Sequence, residues 1–121
     1  FDRVPEYLIR RFIDDAKEEH PKECGAWLVW NEQMERLEYR KLCSASATCA
    51  SLEVDRPTLL SHELLAVDLH SHGGELPAFF SPEDDRDDAG EVKVSIVIGN
   101  VNSDEITVEM RLCALGLLIP F

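Results

Sequence analysis

The densest run of coordinating side chains in this sequence is Asp68-Leu69-His70-Ser71-His72, followed beyond Gly73-Gly74 by Ser81-Pro82-Glu83-Asp84. Two histidines at i and i+2 of a strand project to the same side, and neutral imidazole is a preferred zinc ligand, so the pair can share one ion. An acidic residue from the next helix makes a third protein ligand. Three such ligands leave a fourth position for water, as in a catalytic zinc site, whereas a structural site is closed. The chemistry expected of that arrangement is hydrolysis, because zinc lowers the pKa of water towards about 7 and polarises a carbonyl.

The elements that must position these residues can be read from periodicity. Leu8, Ile9, Phe12, Ile13 and Ala16 recur at helical spacing, predicting an amphipathic helix from Pro5 to about Glu19 that His20-Pro21 ends. Ala26 to Trp30 reads as a buried strand, and Asn31-Glu32 turns the chain into a more polar strand through Leu37, Tyr39 and Leu42. One further strand is expected within Cys43 to Val54. Leu64 to His70 is a strand with Leu65, Val67 and Leu69 on one face and Leu64, Ala66, Asp68 and His70 on the other. Ser81-Pro82-Glu83-Asp84 has the order of a helix start: a capping hydroxyl, proline at the first helical position and acids near the positive end of the dipole. A short helix from Pro82 to about Ala89 follows. The alternations Val92-Val94-Ile96-Ile98 and Ile106-Val108-Met110-Leu112 predict two strands joined at Asn102-Ser103-Asp104, and Leu117 to Phe121 adds an edge strand. The fold class is therefore α+β, a single domain over residues 1–121 with a mostly antiparallel sheet.

Composition narrows the functions. A chain of 121 residues, 45% of them hydrophobic, fits one core. No apolar run approaches the roughly 18 residues of a membrane span, and Phe1-Asp2-Arg3 lacks a basic, then apolar, leader, so the expectation is a soluble, cytoplasmic protein with no membrane partner. The missing initiator Met marks a processed chain or a piece of a longer one. A formal charge of −12 argues against nucleic acid as a partner. The four cysteines, Cys24, Cys43, Cys49 and Cys113, form no Cys-x-x-Cys pair and are expected as buried thiols. His20 and His62 stand alone and are assigned no ligand role. Phe79 and Phe80 are expected to be core anchors that fix the loop before Ser81.

His-x-His followed by Ser-x-x-Asp, with an upstream Glu in His20-Pro21-Lys22-Glu23, resembles the motif of the JAMM (JAB/MPN) zinc metallopeptidase family, and the order of elements matches over nearly the whole chain. The resemblance implies a mixed sheet flanked by an N-terminal helix and a short Ser-capped helix, a JAMM/MPN, cytidine-deaminase-like fold. It also implies His70, His72 and Asp84 as zinc ligands, Glu23 as the catalytic acid/base, and Ser81 as the residue that helps hold the oxyanion. The implied activity is that of a zinc-dependent peptidase or isopeptidase, deubiquitinase-like, acting on a ubiquitin-like protein or its conjugates. Asp68 is expected to orient a ligand histidine. The run Pro77 to Asp88 is similar to that of bacterial JAB proteins such as protein A of the PRTRC mobile-element system.

The chain departs from the family pattern in five places. Eight residues separate His72 from Ser81 instead of about seven, Gly73 stands where proline commonly follows, Ala26 and Trp30 occupy positions usually held by glycine, and the segment between Val54 and Leu64 is too short for a helix many members carry. Two other readings compete. Asp68, His70 and His72 also resemble the start of the PHP phosphoesterase motif, but no histidine follows His72 to supply the further ligands that fold needs. A noncatalytic MPN-type docking module is the alternative from a different functional class. The oligomeric state has no signature in the sequence.

Overall fold

Leu8, Phe12 and Ala16 lie on one face of a 14-residue helix, α1 (Glu6–Glu19), and are all buried. In the computed structural model, which describes residues 4–42, 44–47, 52–54, 58–73, 76–80, 85, 92–114 and 117–120, this face packs on a six-stranded sheet. The strands are β1 (Gly25–Asn31), β2 (Arg36–Lys41), β5 (Glu63–Ser71), β6 (Val92–Gly99), β7 (Thr107–Ala114) and β8 (Leu117–Pro120), ordered β2-β1-β5-β6-β7-β8. Ala26 and Leu28 of β1, Val67 and Leu69 of β5, and Ile96 and Ile98 of β6 complete the core under α1. Phe12 is fully buried in it, and truncations of such aromatic side chains typically cost about 3–5 kcal/mol. The Tyr39 hydroxyl donates to Asp15, tying β2 to the helix.

Every pair in this sheet is antiparallel except β5 with β6, which run parallel. A parallel pair cannot be joined by a tight turn, so the chain between Ser71 and Val92 must cross over. This crossover carries the Ser81-Pro82-Glu83-Asp84 motif. Its residues Phe80 and Asp85 lie on the face opposite α1: both contact Arg111, which lies across from Ser95, itself across from Asp68. Helix α1 and these two residues thus lie on opposite faces of the sheet. On the helix side, β7 extends past α1 and leaves Val108 and Met110 exposed.

Two expectations are corrected. Residues 43–54 were expected to form one strand, yet they contain β3 (Ser44–Ala47) and β4 (Leu52–Val54), paired antiparallel as a separate two-stranded sheet. Leu65 does not share a face with Val67 and Leu69. The register between β1 and β5 shifts at Leu28/Val29, so Val29 pairs with Leu65 while Leu28 pairs with Val67. The extra residue, Ala66, rotates the strand, and Leu65 joins Trp27 and Val29 in a second cluster. Alternation resumes at Val67, placing Asp68 and His70 on the face opposite α1. The predicted helix 82–89 lies outside the described residues apart from Asp85. Among the described residues, no helix is long and apolar enough to cross a membrane.

Candidate metal centre

The site forms where β5 ends and β1 begins. His70 pairs with Gly25 across one edge of β5 and with Val97 across the other, so its position is held from both sides. His72 follows the strand and is buried, its N–H donating to the Ile98 carbonyl at 2.8 Å. The two imidazole centroids are 5.5 Å apart. Two rings sharing one tetrahedral zinc at about 2.0–2.1 Å would have centroids roughly 5 Å apart, so the observed spacing fits a common ion.

Hydrogen bonding fixes the form of His72. Its Nδ1 lies 3.0 Å from the Pro77 carbonyl oxygen, and a carbonyl can only accept, so Nδ1 carries the proton. In the neutral ring, the lone pair is then on Nε2, the form a metal requires. Backbone geometry puts the Pro77 carbonyl there. Gly99, at the end of β6, has no Cβ, and a Cβ at that position would overlap the Pro77 carbonyl carbon and the Ala78 nitrogen. The Asn100 N–H donates to the Leu76 carbonyl at 2.7 Å, and the Ala78 N–H donates to Thr107 Oγ1 at 2.7 Å. The loop is held at both ends. The Nε2 atom of His70 is buried as well.

Glu23 is buried immediately before β1, and Ser71, between the two histidines, holds that segment in place. The Ser71 N–H donates to the Cys24 carbonyl, and the Cys24 N–H donates to Ser71 Oγ, both at 2.9 Å. Ser71 is itself 1% exposed, so this reciprocal pair is shielded from water. It places Glu23 one residue from a fixed junction with the His-x-His segment. Cys24 turns its thiol into the core, where burial raises its pKa to about 11 and keeps it protonated. Cys113 is also buried, as expected for both, its Sγ donating to Ser95 Oγ at 3.5 Å. Cys43 and Cys49 lie outside the described residues.

Of the predicted site residues, Glu23, His70 and His72 are therefore gathered at the junction of β1 and β5. Ser81 and Asp84 lie outside the described residues. Among the described residues, no three His, Cys, Asp or Glu side chains form a group able to hold a metal. The donors on the page are the His72 imidazole, with its lone pair on Nε2, and the His70 ring beside it, with the third predicted ligand in the sequence of the crossover.

Asp68, expected to orient a ligand histidine, pairs with a lysine on the same face of the sheet. Its Oδ2 accepts a 2.8 Å bond from Lys93 Nζ, whose side chain is 1% exposed. A buried ammonium needs such a counter-charge, and this requirement occupies Asp68. Phe79 is not a core anchor: it is 44% exposed and packs on His72 with ring centroids 4.2 Å apart. Phe80 does anchor the loop, against Arg111. His62 receives the Glu32 N–H on its carbonyl, and His20 follows the end of α1. Sequence reasoning missed Gly99, Thr107 and Arg111. A glycine closing a strand can signal close backbone approach, the one available clue among them.

Comparison with known proteins agrees with this architecture. The family model described as prokaryotic homologs of the JAB domain matches residues 5–113. A search of curated proteins gives no match. Seven chains of solved structures match; among them is the solution structure of protein DSY2949 from Desulfitobacterium hafniense, with a TM-score of 0.67 and 12% identity, covering 96% of this chain and 86% of that one. At that identity, the likeness shows the fold. The family match takes in α1, the His-x-His segment and the crossover, and the chain belongs to the prokaryotic JAB-domain family.

Proposed function

We propose that the protein is a zinc-dependent peptidase or isopeptidase that cleaves a ubiquitin-like protein or its conjugates. The observation that carries the reading is the Nδ1 bond of His72 to the Pro77 carbonyl beside His70, since it prepares Nε2 as a ligand. Asp84 would complete the set from the crossover. Zinc held there would supply an activated water and a Lewis acid for the scissile carbonyl.

The chain's own groups would do the rest. The Glu23 carboxylate takes the water's proton and passes it to the departing amine, so the same oxygens serve as base and then as acid. The Ser81 hydroxyl donates to the oxygen that gains charge at the scissile carbonyl. The exposed Phe79 ring, tilted against His72, offers an apolar surface beside the reacting bond. A cytoplasmic setting is supported by the buried, reduced thiol of Cys24.

The test is cleavage of a panel of ubiquitin-like fusions and isopeptide-linked conjugates by zinc-loaded wild type and Glu23→Gln. The expected result is cleavage by the wild type and a drop of about 10²–10⁴-fold in Glu23→Gln with zinc retained. No cleavage of any member by zinc-loaded wild type would sink the reading in favour of a docking module.

A further inference from the structure

Arg111 is nearly buried, with its side chain 7% exposed, on the sheet face from which His70 projects. Its guanidinium carbon sits 3.8 Å from the centroid of the Phe80 ring, and its Nη1 donates to Asp85 Oδ1 at 2.7 Å. Phe80 and Asp85 are the residues immediately before and after the four-residue stretch Ser81-Pro82-Glu83-Asp84. One rigid side chain therefore touches both ends of the segment that carries the Ser-x-x-Asp half of the motif. We propose that Arg111 is a positioning residue for the metal centre, acting through Phe80 and Asp85, which flank the stretch that carries the predicted ligand Asp84.

The inference rests on the zinc-site reading above and adds a role for a residue outside the motif. Its physical basis is twofold. A planar guanidinium can stack on an aromatic face while its edge bonds a carboxylate, which a lysine ammonium cannot do with the same geometry. An apolar residue of similar volume would fill the space under the crossover without the desolvation cost of a charge, but it would leave the crossover without a directional contact. A ligand on a stretch secured at both ends also loses less conformational freedom when the ion binds, and this favours affinity. Neighbours that orient metal ligands typically contribute about 10–100-fold to affinity when removed.

The experiment titrates Co²⁺ into the metal-free full chain, reading both affinity by chelator competition and the visible absorption bands that report coordination number. The variants are Arg111→Lys, Asp85→Ala and Asp85→Glu, each checked for folding by circular dichroism. Asp85 is half exposed, so its replacements leave the core intact. The expected result is one Co²⁺ per wild-type chain, binding about 10–100-fold weaker in Arg111→Lys and Asp85→Ala with bands of altered coordination, and recovery in Asp85→Glu. Should Arg111→Lys fail to fold, Asp85→Ala decides alone. Wild-type affinity and spectrum in a folded Asp85→Ala would overturn the role of Arg111 and leave the metal site standing. No Co²⁺ uptake by the wild type would overturn both.

Discussion

Ser71 shows how one hydroxyl can organise a site without touching a reacting atom. Its Oγ accepts the Cys24 N–H, and its own N–H answers to the Cys24 carbonyl, so the strand holding the histidines and the segment holding Glu23 are joined by two buried bonds. Ser71→Ala removes one acceptor and leaves a buried N–H without its partner. Such a loss costs about 1–3 kcal/mol. The expected outcome, measured by urea denaturation, is destabilisation in that range, with a fall in cleavage rate as Glu23 loses its fixed position. Ser71→Thr, which keeps the hydroxyl, should lie closer to the wild type on both measures. The sequence offered the two histidines and Glu23 through their motif. It gave no sign that the residue between the histidines holds Glu23, because that bond spans 47 positions and depends on the pairing of β1 with β5.

At the scale of elements, the loop from Leu76 to Ala78 determines which nitrogen of His72 carries the proton and which the lone pair. The loop lies against β6 because residue 99 is glycine, and its carbonyl at Pro77 then meets Nδ1. Gly99→Ala puts a methyl group into backbone atoms that cannot rotate away. Overpacking of this kind costs about 1–3 kcal/mol, and the loop must move off β6 to relieve it. Thermal denaturation should show the stability loss, and chelator competition should show weaker zinc binding, since the Pro77 carbonyl would leave His72. The strands on either side were readable from alternation, as with Val92 to Ile98 and Ile106 to Leu112. The bulge at Ala66 was not: local alternation runs on through Leu65, and only pairing with β1 reveals the slip. The hairpin of β3 and β4 escaped for a related reason, since a run of small residues from Cys43 has no strong period to divide it.

The whole molecule divides its labour between two faces of one sheet. Helix α1 supplies the apolar core on one side, and Phe80 and Asp85 of the crossover between the parallel strands lie on the other with the polar groups Asp68, Lys93 and Arg111. Only the parallel pair demands that crossover, so the topology itself brings Phe80 and Asp85, which flank the Ser-x-x-Asp motif in sequence, to the face where His70 projects. The order of elements in the sequence led to a mostly antiparallel α+β sheet, whereas the parallel pair and the charged groups on that face depend on contacts between distant strands. The central claim is that His70 and His72, with Asp84, bind one zinc ion. The most direct test is elemental analysis of zinc per chain for the wild type and for His72→Ala after metal exchange. About one zinc per wild-type chain, lost in His72→Ala, is the predicted result. No zinc in the wild type even when it is supplied, or equal zinc in the variant, would contradict the account.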